Sequence, residues 1–588
     1  MLKPTEHFMT TWDGSRLFYR AWQPPIPSHK ALVLFHRGHE HSGRLEDVVN
    51  ALALDDVFVF AWDARGHGLS PGERGYANSF ADLVKDAEAF VQHISTAHDI
   101  PVENMVVLAH SVGAVIAAAW VHDYAPPIRG QILVSPAFRV KLYVPLAIPM
   151  LRLWRRLRAR PFVRSYVTGK WLTHDPEQIA RYDGDGLISH AIAVNVLLDL
   201  RDTATRVMED AGAIHVPTLL LAAGSDRVVK LPPQRRFFVR LSSPVKKMQV
   251  FPELYHDLLH ENDRDRPLAE ARQFILDAFL HPPTRPRLTK AGEGYNHAEY
   301  ARLAEPLPRL SPRRLYFGCL RLLLKTVGRL SGGIRLGWQS GFDSGQSLDY
   351  VYANTPRGIT PLGRLLDRIY LNSVGWRAIR QRKANLEKVL GATILNVLAE
   401  GMPARLVDIA AGPGRYVLET LKTLSPLPIA ALLRDRDPAN LEMGRRLARE
   451  LEVANVTYER GDAFDPASLA AIAPPPTIAV VSGLYELFPD NDLIARSLGG
   501  LSAALADGGF LIYTNQPVHP QVELIARVLV NRDGRPWVMR RRPQVEMDEL
   551  VRAAGFEKIR AEIDEFGIFS VSLARKRVGG PIVLGRAA

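Results

Sequence analysis

Three residues in the first half of the chain have the types and order needed for nucleophilic attack on a carbonyl carbon. Ser111 follows the apolar run MVVLAH and precedes a helix of small residues, which predicts a tight strand-to-helix turn that exposes the hydroxyl. A serine hydroxyl is a weak nucleophile at neutral pH, so a base and an orienting acid are needed. Asp226, after the apolar run TLLLA, and His256, after the next short strand, supply both in the chain order Ser, Asp, His.

The same chemistry requires backbone amides that stabilise the negative oxygen of the tetrahedral intermediate. We predict that the amides of Val112 and of Gly38, in the loop LFHRGHEHSGR, have this role. The turn around the serine needs small residues two positions to either side. Gly113 meets that need, and Ala109 stands in the place of the usual glycine.

These residues, together with DARGHGLSPGERG at 63–75, resemble the monoacylglycerol lipase and lysophospholipase branch of the α/β-hydrolases over residues 5–280. The resemblance implies a serine esterase with an α/β-hydrolase fold and a lid insertion at about 138–211. The branch usually has glycine where this chain has Arg37 and His39. The changed loop implies a different substrate preference more than a different reaction.

A glycine-rich turn marks the second half of the chain. The strand LVDIA runs into Ala411-Gly412-Pro413-Gly414-Arg415, where a ligand could approach the backbone closely. The dinucleotide fingerprint needs another glycine at position 417, and Val417 stands there, so a nicotinamide cofactor is disfavoured. The pattern resembles the first motif of the Rossmann-like class I methyltransferases.

That resemblance implies S-adenosylmethionine as cofactor. Asp435, at the end of the second strand, corresponds to the residue that binds the ribose hydroxyls, and Asp462, after the third, to the one that reads the adenine amino group. The implied cofactor-binding residues are Asp408, Gly412, Gly414, Asp435 and Asp462. Tyr485, Glu486 and Asn515 are candidates for contacting the methyl acceptor, but only because of their location after the fourth and fifth strands. For each of them a structural role is an equal alternative.

Apolar strands alternate with helical patterns in both halves, which predicts two parallel, helix-covered sheets and an α/β fold class. We predict an α/β-hydrolase domain at 1–280, a linker at 281–305, a helical basic extension at 306–390 and a Rossmann-like methyltransferase domain at 391–588. The whole chain, including GFDSGQSLDYVYANTP at 341–356, resembles the bacterial fused hydrolase-methyltransferase proteins of the YnbC type.

The composition limits the alternatives. The chain has 588 residues, 47% of them hydrophobic, and a single cysteine, Cys319, which excludes an internal disulfide and a cysteine-built metal site. The histidines of HRGHEH lack an accompanying acidic segment, so no metal is expected. The first residues do not read as a signal peptide, and no apolar run reaches the length of a membrane span, so a cytoplasmic location is expected.

The net charge of +12 is concentrated in two segments. Residues 151–164 contain six arginines and no acid, and residues 306–342 contain seven basic residues and no acid. The second segment reads as an amphipathic cationic helix, suited either to an anionic membrane surface or to packing between domains. Nucleic acid is not expected, because no nucleic-acid-binding signature is present.

The sequence therefore predicts a bifunctional enzyme. Its first half hydrolyses an ester of an acylglycerol- or lysophospholipid-like substrate, and its second half transfers a methyl group to an acceptor that the residues do not identify. One alternative is a peptidase or small-ester hydrolase. Another is that the second domain binds the cofactor or a membrane surface without catalysis.

Overall fold

The computed structural model of the protein describes residues 3–284, 286–290, 292 and 294–577. It divides into two compact units, residues 1–286 and 287–588. Positions 285, 291 and 293 of the predicted linker, and residues 578–588 of the predicted second domain, lie outside the described residues.

The first unit is an α/β-hydrolase fold. Its strands are β1 Thr5–Thr10, β2 Arg16–Trp22, β3 Ala31–Phe35, β4 Phe58–Trp62, β5 Met105–His110, β6 Gly130–Val134, β7 Phe162–Arg164, β8 Ala191–Ala193, β9 Thr218–Ala223 and β10 Lys246–Phe251. Its helices are α1 Glu46–Leu52, α2 Phe80–Ala97, α3 Val112–Tyr124, α4 Ala147–Leu157, α5 Gly169–Leu172, α6 Pro176–Asp183, α7 Val194–Glu209, α8 Leu231–Arg240 and α9 Asp265–Leu280.

The main sheet of this unit has the order β1-β2-β4-β3-β5-β6-β9-β10, parallel from β4 to β10. Strand β5 lies inside it, with Ala109 opposite Phe35 on one side and Leu133 on the other. Every residue of β5 is buried, which explains its continuous apolar run. Helices α4 to α7 and the antiparallel strand pair β7 and β8 form the expected lid insertion between β6 and β9.

The second unit has a Rossmann-like methyltransferase fold. Its strands are β11 Ala404–Ile409, β12 Ile429–Asp435, β13 Val456–Arg460, β14 Ile478–Val481, β15 Phe510–Asn515, β16 Phe556–Ile563 and β17 Ser570–Lys576. Its helices are α10 His297–Ala304, α11 Pro312–Lys325, α12 Gly332–Ser340, α13 Gly345–Ala353, α14 Pro361–Leu371, α15 Val374–Ala399, α16 Arg415–Thr423, α17 Pro438–Glu450, α18 Pro466–Ala470, α19 Asn491–Ala504, α20 Val522–Val528 and α21 Gln544–Ala553.

The sheet of the second unit has the order β13-β12-β11-β14-β15-β17-β16. The strands from β13 to β15 are parallel, and β17 runs antiparallel to both of its neighbours. The last two strands, β16 and β17, thus form an antiparallel pair at one edge of the sheet. Leu406 and Val407 of β11 point into separate cores on the two faces of the sheet, as the period of two along a strand requires.

Two helices are unusually exposed, and each is rich in both leucine and arginine. Neither α4 nor α11 has a buried residue. Leu153 and Leu157 of α4 are 58% and 73% exposed, and Leu315 of α11 is 71% exposed. No helix in the described part of the chain combines the length and the apolar composition needed to cross a bilayer.

A buried ion-pair cluster lies within the first unit, formed by Arg37, Glu40, Asp257 and His260. Arg37 pairs with Glu40 at 3.2 Å and with Asp257 at 3.4 Å. His260 pairs with Asp257 at 3.0 Å and with Asp47 at 3.3 Å. Burial alone would lower the pKa of the His260 imidazole, but the carboxylates of Asp257 and Asp47 raise it to about 10. His260 is therefore a buried cation at neutral pH.

We predict that His260→Gln destabilises the first unit in a pH-dependent way. The pKa of His260 is raised on folding, so the stability it adds is fully present below about pH 6.5 and is lost as pH rises through about 10. The variant should lose on the order of 3–5 kcal/mol near pH 6 and much less near pH 10, measured as the free energy of unfolding in urea. His29→Gln, at an exposed histidine, is the control. A difference from wild type that stays constant with pH would contradict the prediction.

Candidate functional site

Ser111 lies at a sharp turn between β5 and α3. Its backbone has φ 55° and ψ −109°, in the left-handed half of conformational space that residues with a side chain avoid. Helix α3 packs closely on the neighbouring loop, because a Cβ atom added at Gly113 would lie 2.4 Å from the carbonyl oxygen of His36. The small residue predicted at this position is thus a steric requirement.

The structure brings Ser111, His256 and Asp226 into one hydrogen-bonded chain. The Ser111 hydroxyl lies 2.9 Å from His256 Nε2, and His256 Nδ1 lies 2.8 Å from Asp226 Oδ2. The other carboxylate oxygen of Asp226 accepts hydrogen bonds from the amides of Val228 and Val229, at 2.7 and 2.8 Å. All three catalytic candidates are at most 4% exposed.

The electrostatics of Asp226 suit an acid that orients an imidazole. Burial alone would raise its pKa, but the His256 imidazole and the two backbone amides outweigh burial and hold the pKa below its usual range. Asp226 is therefore ionised at neutral pH. An ionised partner at Nδ1 keeps the proton of His256 on that nitrogen and leaves Nε2 free to accept the proton of Ser111.

The two residues expected to stabilise the oxyanion lie against each other beside the serine. A Cβ atom on Gly38 would come within 3.0 Å of the Val112 side chain. Neither amide donates a hydrogen bond within the described part of the chain. Both residues line the same cavity as Ser111 and His256. Two free donors next to the nucleophile are the arrangement that an oxyanion needs.

That cavity, which we call the ester cavity, has a volume of about 710 Å³ and a predominantly apolar wall. The lid supplies much of it, including Met150, Leu151 and Trp154 of α4. Its polar lining consists of serines, histidines, tyrosines and arginines, and no carboxylate is among the described residues that line it. The cavity thus suits an apolar group without a positive charge.

Arg37 and His39 stand where the resembling family usually has glycine, and both contact other residues of the first unit. Arg37 belongs to the ion-pair cluster and also stacks over the Tyr182 ring at 4.6 Å. His39 adopts φ 57° and lies 2.6 Å, through Nδ1, from the carbonyl oxygen of Ser189 in the lid. Burial lowers the pKa of His39 to about 4, so its ring is neutral at physiological pH. Both residues line the ester cavity, so they can alter which substrate fits.

Three potential metal ligands meet in the ion-pair cluster. Ligand atoms of Glu40, Asp257 and His260 all lie within 4.8 Å of one another. However, the guanidinium of Arg37 contacts both carboxylates, and His260 is itself cationic. Because these positive charges already neutralise the carboxylates and would repel a metal ion, we interpret the group as a structural ion-pair network.

In the second unit, the glycine-rich turn joins β11 to α16. Gly414 has φ 73°, a backbone conformation that favours glycine, and a Cβ atom there would displace the Leu433 side chain, which would lie 2.0 Å away. Gly412 has φ 57°, and its amide donates to Asp435 Oδ2 at 2.9 Å. The structure thus brings Gly412 and Asp435 together at the carboxyl ends of β11 and β12, the edge at which such sheets bind ligands.

Asp408 is completely buried below this turn. Its Oδ2 accepts a hydrogen bond from the Tyr416 hydroxyl at 2.5 Å, and its Oδ1 has no partner among the described residues. Burial, with a smaller contribution from the negative charge of Asp435, raises the pKa of Asp408 to about 8. Asp408 is therefore mostly protonated at neutral pH in this structure.

A cavity of about 170 Å³, which we call the polar cavity, lies at this edge of the sheet. Asp435 and Asp462 line it, together with Phe464 and Phe488, whose rings meet edge to face. Asp408, Gly412 and Gly414 are not among its lining residues. The cavity therefore brings together two of the five predicted cofactor residues, and the other three do not line it.

Sequence reasoning found only Asp435 and Asp462 of the polar cavity and missed the rest of its lining, including Asp343, Arg532 and Asp533. Asp343 Oδ1 accepts a hydrogen bond from the backbone amide of Arg532 at 2.6 Å. This bond joins the loop between α12 and α13 to the loop between α20 and α21. The signal for Asp343 was present in the motif GFDSGQS, which contributed to the family resemblance without a role being assigned to it.

The acceptor-side candidates occupy different surroundings. Tyr485 is buried and its hydroxyl bonds to Ser497 at 3.0 Å, a structural role. Asn515 is also buried and donates to the carbonyl oxygen of Arg542 at 3.0 Å. Glu486 pairs with the buried Arg382 at 2.9 Å and lines a separate cavity. Only Glu486 of the three faces a space that a ligand could occupy.

Comparisons with known proteins agree with both units. Residues 26–263 match the family described as "Serine aminopeptidase, S33", and residues 271–576 match the family described as "Putative methyltransferase". The chain is 49% identical over 579 residues to YnbC of Escherichia coli K12, covering 98% of this chain and 99% of that protein.

The first unit also has separate relatives. It is 26% identical over 274 residues to a monoacylglycerol lipase of Mycolicibacterium smegmatis, covering 46% of this chain and 97% of that enzyme. The crystal structure of a Paleococcus ferrophilus monoacylglycerol lipase aligns with 47% of this chain and 100% of its own, with 22% identity and a TM-score of 0.40. The chain therefore belongs to the family that includes YnbC of Escherichia coli, with a lipase-like hydrolase domain followed by a domain of the family described as "Putative methyltransferase".

Proposed function

We propose that the first unit is a serine hydrolase of carboxylic esters that acts on an acylglycerol- or lysophospholipid-like substrate. The observation that carries this proposal is the hydrogen-bonded chain Ser111–His256–Asp226 at the wall of the apolar ester cavity. The lipase names of the relatives of this unit point to the same substrate class.

Each residue has a defined part in the proposed reaction. The Ser111 oxygen attacks the ester carbonyl as His256 Nε2 takes its proton, and Asp226 stabilises the resulting imidazolium. The amides of Gly38 and Val112 donate to the negative oxygen. His256 then protonates the leaving alcohol, which departs and leaves an acyl-serine. Water attacks this ester, giving its proton to His256, and the carboxylic acid leaves as Ser111 recovers its proton.

The wall of the ester cavity favours an ester over a peptide as substrate. An aminopeptidase has to neutralise the positively charged amino terminus of its substrate, for which a carboxylate is the usual partner. No carboxylate lines the ester cavity among the described residues, whereas Arg37, Arg65 and Arg164 do. An uncharged lipid with an apolar chain meets neither repulsion nor an unpaired buried charge there.

We also propose that the protein contacts an anionic membrane surface through α4 and α11. Leucines at 58–73% exposure on α4, next to Arg152, Arg155 and Arg156, form an amphipathic surface beside the ester cavity. Helix α11 has the same composition, with Leu315 and Leu322 exposed. Exposed apolar side chains among arginines suit the boundary between lipid headgroups and acyl chains.

For the second unit, we infer a methyltransferase that uses S-adenosylmethionine, which supplies an electrophilic methyl group when bound. The residues present fit this cofactor. Asp435 ends β12, Asp462 follows the adjacent parallel strand β13, and both face the polar cavity. Phe464 and Phe488 offer aromatic walls for an adenine ring, and Gly412 leaves the backbone open to approach. The alternative is a domain that binds the cofactor without catalysis, and turnover on an identified acceptor would separate the two.

We predict that Ser111→Ala lowers hydrolysis of p-nitrophenyl esters by at least about 10³-fold, because the attacking oxygen is removed. Wild-type kcat/KM should rise with acyl length from acetate to decanoate, since the ester cavity is mostly apolar and has a volume of about 710 Å³. Thr96→Ala, at an exposed hydroxyl on α2 outside the site, should behave as wild type. Activity retained in Ser111→Ala would refute the catalytic assignment, and a preference for acetate would refute the lipid assignment.

We predict that the double variant Leu153→Asp, Leu157→Asp binds vesicles of phosphatidylglycerol and phosphatidylcholine at least about tenfold more weakly than wild type, measured by co-sedimentation. The two leucines would otherwise be buried in the interface, and the new carboxylates are repelled by anionic lipid. Leu280→Asp, at a leucine that is 71% exposed on α9, is the matched control. Equal binding of the double variant and wild type would show that α4 does not contact the membrane.

We predict that Asp462→Ala weakens binding of S-adenosylhomocysteine at least about tenfold in isothermal titration calorimetry, because a charge-assisted hydrogen bond to the adenine amino group is lost. Asp462 is exposed in the polar cavity and holds only the amide of Phe464, at 2.9 Å, so the fold should tolerate the change. Asp507→Ala, at an exposed aspartate outside the cavity, is the control. Unchanged affinity in Asp462→Ala would remove this residue from the cofactor site.

A further inference from the structure

A second cavity of the methyltransferase unit lies next to the polar cavity. It has a volume of about 160 Å³, and we call it the aromatic cavity. Asp343 and Leu487 line both cavities, so the two spaces adjoin. Gly483 and Glu486 follow β14, and Gln516 and His519 follow β15; all four line the aromatic cavity. It therefore occupies the carboxyl edge of the sheet, beside the proposed cofactor position.

The wall of the aromatic cavity is mostly apolar. Its aromatic side chains are Phe342, Tyr370, Trp376, Trp537 and Phe569. Leucine, isoleucine and methionine side chains fill most of the remainder, including Leu324 of α11 and Ile525 of α20. An apolar cavity of about 150 Å³ accommodates a benzene-sized molecule. The inserted part of a ligand should therefore be apolar and about the size of one or two rings.

His519 supplies a hydrogen-bond donor to this apolar space. Burial lowers the pKa of its imidazole to about 4, with a further contribution from the positive charge of Arg541, so the ring is neutral at physiological pH. Its Nδ1 accepts the amide of Gln521 at 3.1 Å, which leaves the ring proton on Nε2. Nε2 has no hydrogen-bond partner among the described residues.

Two negative charges at the wall have partners of their own. Glu486 is held by Arg382 at 2.9 Å, and Asp343 pairs with Arg532. Arg382 in turn stacks over the Phe569 ring at 4.9 Å. Since these ions are paired with protein groups, the neutral donors that the aromatic cavity offers a ligand within its apolar wall include His519 Nε2 and Trp537 Nε1, which is buried without a hydrogen-bond partner among the described residues. A site of this kind favours an uncharged oxygen atom attached to an apolar group.

We propose that the aromatic cavity holds the methyl acceptor, and that the acceptor is a neutral molecule with an apolar, ring-sized group that carries a hydroxyl. This proposal rests on the proposed methyltransferase function. The hydroxyl oxygen accepts a hydrogen bond from His519 Nε2 and faces the polar cavity. Transfer of the methyl group from the sulfonium sulfur to this oxygen gives a methyl ether and a thioether, and the hydroxyl proton is released to water.

The test uses two probes that differ only in the hydroxyl, 1-naphthol and naphthalene. Their affinities for the full-length protein are measured by isothermal titration calorimetry, with and without S-adenosylhomocysteine. We expect 1-naphthol to bind at least tenfold more tightly than naphthalene. In His519→Phe, which keeps an aromatic ring but removes the donor, the ratio should fall to about one. His297→Phe, the same change at an exposed histidine, should keep the wild-type ratio.

Equal affinities in wild type, absence of binding by both probes, or a ratio preserved in His519→Phe would each overturn the proposal. A second variant, Ile525→Trp, fills the aromatic cavity and should weaken both probes without altering the binding of S-adenosylhomocysteine. Unchanged binding of the probes to this variant would place them elsewhere and also overturn the proposal. If the probes behave as expected and S-adenosylhomocysteine does not bind, the acceptor cavity stands and the proposed cofactor is wrong.

Discussion

The hydrolase site depends on the left-handed backbone at Ser111. A residue with a side chain adopts that conformation only where its surroundings impose it. Here β5 is fixed on both sides by parallel neighbours, and α3 packs so closely that only glycine fits at position 113. The turn lifts the serine hydroxyl out of the sheet. Asp226 and His256 reach it because β9 and β10 end at the same edge as β5.

In the second unit, too, parallel strands end at one edge of the sheet, but different loops follow them. The carboxyl ends of β11 to β15 bring residues distant in sequence to one edge, where the polar and aromatic cavities adjoin. The helices ahead of the sheet are part of this arrangement, because Asp343 lines both cavities. In the proposed reaction, the two adjoining cavities hold the methyl donor and the acceptor side by side, which is the proximity that methyl transfer requires.

Much of the fold was accessible from the sequence, because buried parallel strands are short, continuous apolar runs. The run MVVLAH is strand β5, the run TLLLA begins strand β9, and all but the last residue of LVDIA lies in strand β11. The order Ser, Asp, His and the turn at Ser111 were also accessible, since each follows an apolar strand. The glycine turn at Gly412 and Gly414 also follows an apolar strand, and it predicted the methyltransferase-like fold of the second unit.

Other features depend on contacts between distant segments, which no local pattern encodes. Arg37 was read as a change at the rim of the site, but its charge is bound within the ion-pair cluster by Asp257, far along the chain. His260 is a buried cation in part because it pairs with Asp47, which is also distant in the chain. Asp408 was predicted to bind the cofactor, and its immediate partner here is Tyr416; its role toward the cofactor stays a prediction.

In the proposed reaction Ser111 is a nucleophile activated by His256. Covalent labelling with a fluorophosphonate, followed by mass spectrometry of the digested protein, tests this directly. We expect one adduct, on Ser111, that forms in wild type and is strongly suppressed in His256→Ala. Labelling at another residue, or labelling of Ser111 at the same rate without His256, would contradict it.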